Sequence, residues 1–129
     1  MSETTVKVLI VDDDPYITDM YAVKFREAGF TVSASANGKE ALAKIAEARP
    51  DVLLLDIVMP LLDGFEVLKR LQESGGAGSM KVVILSNLGQ REDVERGLAL
   101  GATDYIIKAH FTPSEVVAKV KNILEQKPA

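Results

Sequence analysis

The chain contains no cysteine among its 129 residues. Disulfides, thiolate metal sites and cysteine nucleophiles are thereby excluded. Histidine is nearly as scarce: His110 is the only one, with no second imidazole to share a metal, so it reads as a loop residue. Basic charge is in deficit, with 15 Lys and Arg against 19 Asp and Glu for a net charge of -4. That balance argues against a generic nucleic-acid surface, which needs a cationic excess. Long apolar runs are also missing, since none approaches the roughly 18 residues of a membrane span. The opening residues MSETTVKV show no basic region followed by an apolar stretch. No secretory signal is visible there, and the expectation is a cytoplasmic protein. What is present is ordinary for a soluble globular chain, 47% hydrophobic and 26% charged, and long enough for one domain with one sizeable core.

Five short apolar runs punctuate the chain: VKVLIV (6–11), TVSASA (31–36), DVLLLD (51–56), KVVILS (81–86) and DYIIK (104–108). The first, third and fourth are nearly continuous Val, Ile and Leu, as in parallel strands covered on both faces. TVSASA carries small polar residues and predicts an edge strand. Helical patterns lie between the runs. PYITDMYAVKFREAG places Ile17, Met20, Tyr21 and Phe25 near helical spacing, with Gly29 to end it. GKEALAKIAEAR follows the turn pair Asn37-Gly38 and aligns Leu42 with Ile45. DGFEVLKRLQES aligns Phe65, Leu68 and Leu71, and REDVERGLALG carries Val94, Leu98 and a terminal Gly101. TPSEVVAKVKNILEQ opens on a capping box, Thr112 with Glu115, and a proline at the first helical position. Its apolar stripe is Val116, Val117, Val120 and Leu124.

Five βα units in strict alternation predict an α/β fold, a parallel sheet with helices on both faces joined by right-handed crossovers. They account for residues 1–129 as a single domain, standing alone or cut from a longer chain. The GGAG stretch at 75–78 precedes a strand and lacks the Gly-Lys-Ser/Thr ending of a phosphate loop, so it reads as a plain loop.

The polar residues fall at the ends of the runs. Asp12 and Asp13 follow the first, Asp56 ends the third, Ser86 the fourth and Lys108 the fifth. In a parallel sheet all carboxyl ends lie on one edge, where ligands of open α/β sheets bind. Asp14 precedes Pro15 and reads as a helix cap, as does Asp63 before Gly64. Asp12 and Asp13 could be plain loop acids and Asp56 a surface carboxylate, but a cap needs only one acid. Carboxylates at close range repel unless protonated or bridged by a cation. Oxygen-only ligands select a hard ion, and Mg²⁺ suits one or two carboxylates with phosphate oxygens and water. A lysine ammonium and a serine hydroxyl beside such an ion would neutralise and hold a transferring phosphoryl group. A carboxylate between them could act as nucleophile and accept that group.

With these segments in order, VLIVDDDP, LLLDIVMPLLDG, VILSN and GATDYIIKA, the chain resembles the receiver domain of bacterial two-component response regulators. The resemblance implies a doubly wound, flavodoxin-like five-stranded parallel sheet of order 2-1-3-4-5. It implies that Asp56 accepts a phosphoryl group from a histidine kinase or histidine phosphotransfer protein. It further implies Mg²⁺ held directly by Asp13, Asp56 and the main-chain carbonyl of Val58, with Asp12 acting largely through water. Ser86 and Lys108 would hold the phosphoryl oxygens. Tyr105 would rotate as Ser86 moves, changing a face built by the fourth helix, fifth strand and fifth helix that meets a downstream protein or a second copy. Val58 and Leu88 would flank the path of a hydrolytic water. Two positions depart from the family pattern. Ala109 stands where proline usually follows the lysine, which leaves the Lys108–Ala109 bond open between cis and trans. Asn87 stands where alanine is frequent and implies a narrower approach to Asp56. Two rivals have specific objections. A haloacid-dehalogenase-type phosphatase wants a second aspartate two positions after the nucleophile, where this chain has Val58. A non-phosphorylated pseudo-receiver would have no use for the full acidic set with Ser86 and Lys108.

Overall fold

Val8, Leu9, Ile10 and Val11 are each no more than 2% exposed, so the strand they form is covered on both faces. In the computed structural model, which describes residues 5–125, that strand is β1 (Lys7–Val11). It is followed by α1 (Pro15–Glu27), β2 (Thr31–Ser35), α2 (Gly38–Ala48), β3 (Val52–Leu55), α3 (Gly64–Ser74), β4 (Lys81–Ser86), α4 (Arg91–Ala99), β5 (Asp104–Ile107) and α5 (Pro113–Glu125). The expected opening residues 1–4 and the expected last helical residue, Gln126, lie outside the described residues. All strand pairings are parallel, in the order β2-β1-β3-β4-β5. This is the doubly wound sheet the resemblance implied.

Strand side chains alternate between faces, and the two faces build separate cores. Val8, Ile10, Val52, Leu54, Val83 and Leu85 pack with Tyr21 and Phe25 of α1 and Val116 and Val120 of α5. Leu9, Val11, Leu53, Leu55, Val82 and Ile84 pack with Ile45 of α2 and Phe65 and Leu68 of α3. Each fully buried aliphatic side chain contributes about 1.5 to 3 kcal/mol by leaving water. β2 lies at an edge, as its small polar residues predicted, and alternates in burial until Ser35.

The structure corrects three helical stripes. In α1 the buried residues are Tyr21, Ala22 and Phe25, while Met20 is exposed. The axis is turned so that Ile17, not Met20, joins the core margin. In α4 the expected Val94 and Leu98 stripe does not form the contact. The one buried residue of that helix is Gly97, and Leu98 is 45% exposed. A Cβ at position 97 would lie 2.4 Å from Ile84 Cδ1 and 3.1 Å from Tyr105 Cδ2. The helix therefore reaches the sheet through its backbone, and its larger apolar residues are turned aside. In α5 Ile123 is buried and Leu124 only packs at the rim.

Candidate phosphoacceptor site

The register brings the acids together. Val11 pairs with Leu55 across β1 and β3, so the residues that follow, Asp12 and Asp56, leave adjacent strand ends. The Asp56 N–H still donates to the Val11 carbonyl (3.0 Å) and the Asp12 N–H to the Ser35 carbonyl (3.2 Å). Asp56 thus stands one residue beyond β3 rather than ending it, yet remains tied to the sheet. Carboxylate oxygens of Asp12, Asp13 and Asp56 lie within 4.8 Å of one another. Asp12 and Asp56 are buried, at 5% and 8% exposure, while Asp13 is exposed. Grouped hard oxygen donors of this kind are the ligand type that Mg²⁺ takes.

Lys108 spans the pair. Its Nζ donates to Asp12 Oδ2 at 2.6 Å and to Asp56 Oδ2 at 3.1 Å. The remaining oxygens are also engaged: Asp12 Oδ1 accepts the Asp14 N–H (2.9 Å), and Asp56 Oδ1 accepts the Ile57 N–H (2.7 Å). Burial pulls the Lys108 ammonium toward lower pKa, but its hydrogen bond to Asp12 and the charge of Asp56 outweigh it. The pKa is held above the ordinary lysine value. A cation raised in the folded state stabilises the fold below the ordinary lysine range, and that contribution is lost only as pH climbs through the raised value. At neutral pH the ammonium is therefore retained. Lys108 does not end the fifth strand. It opens a 3₁₀ turn, Lys108–His110, after β5. No peptide bond among the described residues is cis, so Lys108–Ala109 is trans. His110 is exposed in that turn.

Ser86, only 1% exposed, ends β4 opposite Ile107 of β5. Its Oγ accepts the Leu88 N–H at 3.2 Å, which folds the following loop back on the strand. Tyr105 is half-buried, and its hydroxyl donates to the Leu88 carbonyl. Burial first, then the charges of Asp93 and Asp56, push this phenol up to about 12, so it remains a donor at neutral pH. Val58 is 64% exposed, and Leu88 is half-buried, its side chain packed against the margin of the second core. The Asn87 amide is turned sideways, with Oδ1 accepting the Ala109 N–H at 2.9 Å.

Asp14 is the cap of α1, its Oδ1 accepting the N–H groups of Tyr16 and Ile17. Asp63 caps α3, and Thr112 and Glu115 close the expected box on α5. This division of the acidic triplet has a measurable consequence. Asp14→Ala should cost about 0.5 to 2 kcal/mol of stability through the lost cap and leave Mg²⁺ affinity nearly intact. Asp13→Ala should weaken Mg²⁺ binding with little change in melting temperature. Calorimetric titration beside thermal melts separates them, and equal losses of metal affinity would show the triplet to be wrongly divided.

Sequence reasoning overlooked Gly64. A Cβ there would come within 2.3 Å of the Asp56 carbonyl oxygen and 2.9 Å of Ile57 Cα. Both are backbone atoms, so any side chain would push α3 away from the Asp56–Ile57 segment. The Gly64 N–H donates to the Ile57 carbonyl (2.8 Å), which fixes that close approach. The Asp-Gly pair at 63–64 signals a turn or cap in sequence, but not the packing partner.

Comparison with known proteins agrees with this geometry. A sequence profile of the response regulator receiver domain matches residues 8–121. The DNA-binding response regulator MtrA of Mycolicibacterium smegmatis is 36% identical over 126 residues, 95% of this chain and 54% of that protein. The alkaline phosphatase synthesis transcriptional regulatory protein PhoP of Bacillus subtilis is 37% identical over 120 residues, 93% of this chain and 49% of that protein. The chain therefore spans about half the length of the curated relatives it matches. Among solved structures, the chemotaxis response regulator CheY4 of Vibrio cholerae superposes with a TM-score of 0.85 at 33% identity, covering 93% of this chain and 99% of that one. A putative response regulator from Chloroflexus aurantiacus gives 0.86 at 35% identity, covering 95% and 100%. With the sheet order, the buried acid pair and the lysine bridging it, these matches place the chain in the response regulator receiver domain family of two-component signalling.

Proposed function

We propose that this receiver domain is phosphorylated on Asp56 by a histidine kinase or histidine phosphotransfer protein and signals through the α4, β5 and α5 face. The observation that carries the reading is Lys108 held between Asp12 and Asp56 at the sheet's carboxyl edge. Mg²⁺, when bound, supplies positive charge for the phosphoryl oxygens. Asp13 and Asp56, with the Val58 carbonyl, would hold it. Asp12 would act through water, the role that the family resemblance implies for it. Asp56 Oδ2 attacks phosphorus, and the bond from phosphorus to the donor breaks with its electron pair leaving on the donor. Lys108 follows the charge from the carboxylate to the phosphoryl oxygens, and Ser86 moves to donate its hydroxyl to one of them, which draws its Oγ away from the Leu88 N–H it now accepts. That release loosens the loop to which Tyr105 is bonded, which carries the change to the surface. Response regulators are signalling proteins rather than metabolic enzymes, and the acidic balance supports a protein partner or second copy over nucleic acid. No described helix is long and apolar enough to cross a membrane, and we place the domain in the cytoplasm.

Incubation with acetyl phosphate and Mg²⁺, read by intact mass, tests the reading. One added phosphoryl group that chelation prevents is expected. An unlabelled protein would favour a pseudo-receiver, and sustained turnover of a generic phosphate ester would favour a phosphatase.

The acyl phosphate should also be long-lived. Val58 and Leu88 flank the approach of water, and neither can hydrogen-bond an attacking molecule. Positioning is a large part of phosphoryl-transfer catalysis. A Val58→Asn, Leu88→Glu variant should lose the label about tenfold faster, equivalent to about 1.4 kcal/mol. Decay after donor removal, followed side by side, measures this, and equal rates would remove these side chains from control of the lifetime.

A further inference from the structure

Two loops meet beside the acid pair. Ser86 and Ile107 are partners at the last register position of β4 and β5, so the chain leaves both strands together. The loop after Ser86 is bonded on three sides. Its Leu88 N–H is held by Ser86 Oγ, its Leu88 carbonyl by the Tyr105 hydroxyl, and its Asn87 Oδ1 by the Ala109 N–H. The third bond is the one that reaches the segment carrying Lys108. It exists because residue 109 is alanine and so has an N–H to donate. Of the turn Lys108–His110 none of the three residues is buried or belongs to either core. Its other backbone bond is local, the Phe111 N–H donating to the Lys108 carbonyl (3.3 Å), so the Asn87 bond is the one that ties its backbone to the end of β4. A lysine on such a turn has four rotatable side-chain bonds, and the position of its ammonium depends on where the turn is held.

We infer that Asn87 is a positioning residue for phosphoryl transfer: it clasps the 108–110 turn to the end of β4 and thereby sets Lys108 between Asp12 and Asp56. This rests on the phosphoacceptor reading above and adds to it a residue whose side chain touches none of the reacting groups. The clasp also joins the two phosphate-holding residues mechanically, since Asn87 directly follows Ser86. Movement of Ser86 toward the phosphoryl group would pull on the lysine turn through a single hydrogen bond.

The test combines amide exchange with labelling kinetics. In the parent, the exposed Ala109 amide proton should exchange slowly by NMR. Asn87→Ala should abolish that protection, and Asn87→Asp, which keeps the acceptor oxygen, should preserve it. Labelling of Asn87→Ala by acetyl phosphate should be roughly two- to tenfold slower, the range of one hydrogen bond. In a Lys108→Met background the same change should have no further effect on the rate. A labelled parent whose rate is indifferent to Asn87→Ala would overturn the inference. So would equal slowing in the Lys108→Met background, because Asn87 would then act by another route. An Ala109 amide that exchanges freely in the parent would remove the clasp itself. A parent that takes no label is a different result, and it overturns the phosphoacceptor reading together with the role drawn from it.

Discussion

Replacing Asp56 by asparagine should abolish acetyl phosphate labelling completely while leaving the fold intact. The substitution is nearly isosteric, and the amide oxygen can still accept the Ile57 N–H that Asp56 Oδ1 accepts now. Lys108 keeps Asp12 as its partner at 2.6 Å. The amide NH₂ then stands where Asp56 Oδ2 accepts from Lys108 (3.1 Å), and the loss of that ion pair is offset by relief of repulsion between two buried carboxylates as the lysine turns to Asp12. Stability should therefore change by no more than about 1 kcal/mol. What disappears is the nucleophile, because an amide oxygen has neither the charge nor the basicity to form an acyl phosphate. Intact mass and a thermal melt on the same sample check both halves. A label that persists in Asp56→Asn would move the acceptor to another side chain, with Asp12 and Asp13 the first to examine.

Lys108→Met carries the second large effect, and it has two readouts. Methionine matches the aliphatic length of lysine without its charge. Asp12 and Asp56 would then face each other buried, with no side-chain cation in contact. Breaking a buried pair by removing one partner leaves uncompensated charge and costs about 3 kcal/mol. Mg²⁺ held at this acidic cluster, as proposed above, should restore more stability to the variant than to the parent. The labelling rate, in contrast, should stay depressed at saturating Mg²⁺ by about a hundredfold, the usual cost of removing one preorganised group from a developing anion. Melts with and without Mg²⁺, and labelling at saturating Mg²⁺, separate these outcomes. If metal rescues the rate as fully as the stability, Lys108 is a counter-ion of the resting site and not a phosphoryl ligand.

Most features legible in advance were those set within a few consecutive residues. The runs VLIV, VLLL and VVIL have the continuous aliphatic character of strands buried on both faces, and their positions matched β1, β3 and β4 closely. Asp14, Asp63 and Thr112 cap helices through bonds to residues two or three positions away, so local spacing was enough to find them. The stripe of α4 could not be found that way. It depends on how closely the helix approaches the sheet, and the deciding residue, Gly97, has no side chain to announce itself. Asn87 was noted only for its size. Its partner, Ala109, lies 22 positions away, and no periodicity links the two.

By itself the sequence determined the class of the molecule: alternating buried strands and capped helices, a hard-oxygen chemistry free of thiols, and acids, a hydroxyl and a lysine grouped at strand ends. These follow from local propensity and from a period of two or 3.6 residues. Only the tertiary structure decided which of those strand ends are neighbours. Pairing of β1 with β3 brings Asp12 beside Asp56, and pairing of β4 with β5 carries Lys108 to them across 96 and 52 positions of sequence. The physical reason is that such contacts are properties of strand order and register. These are selected by the burial of two whole faces of a sheet, and no single window of sequence contains both faces.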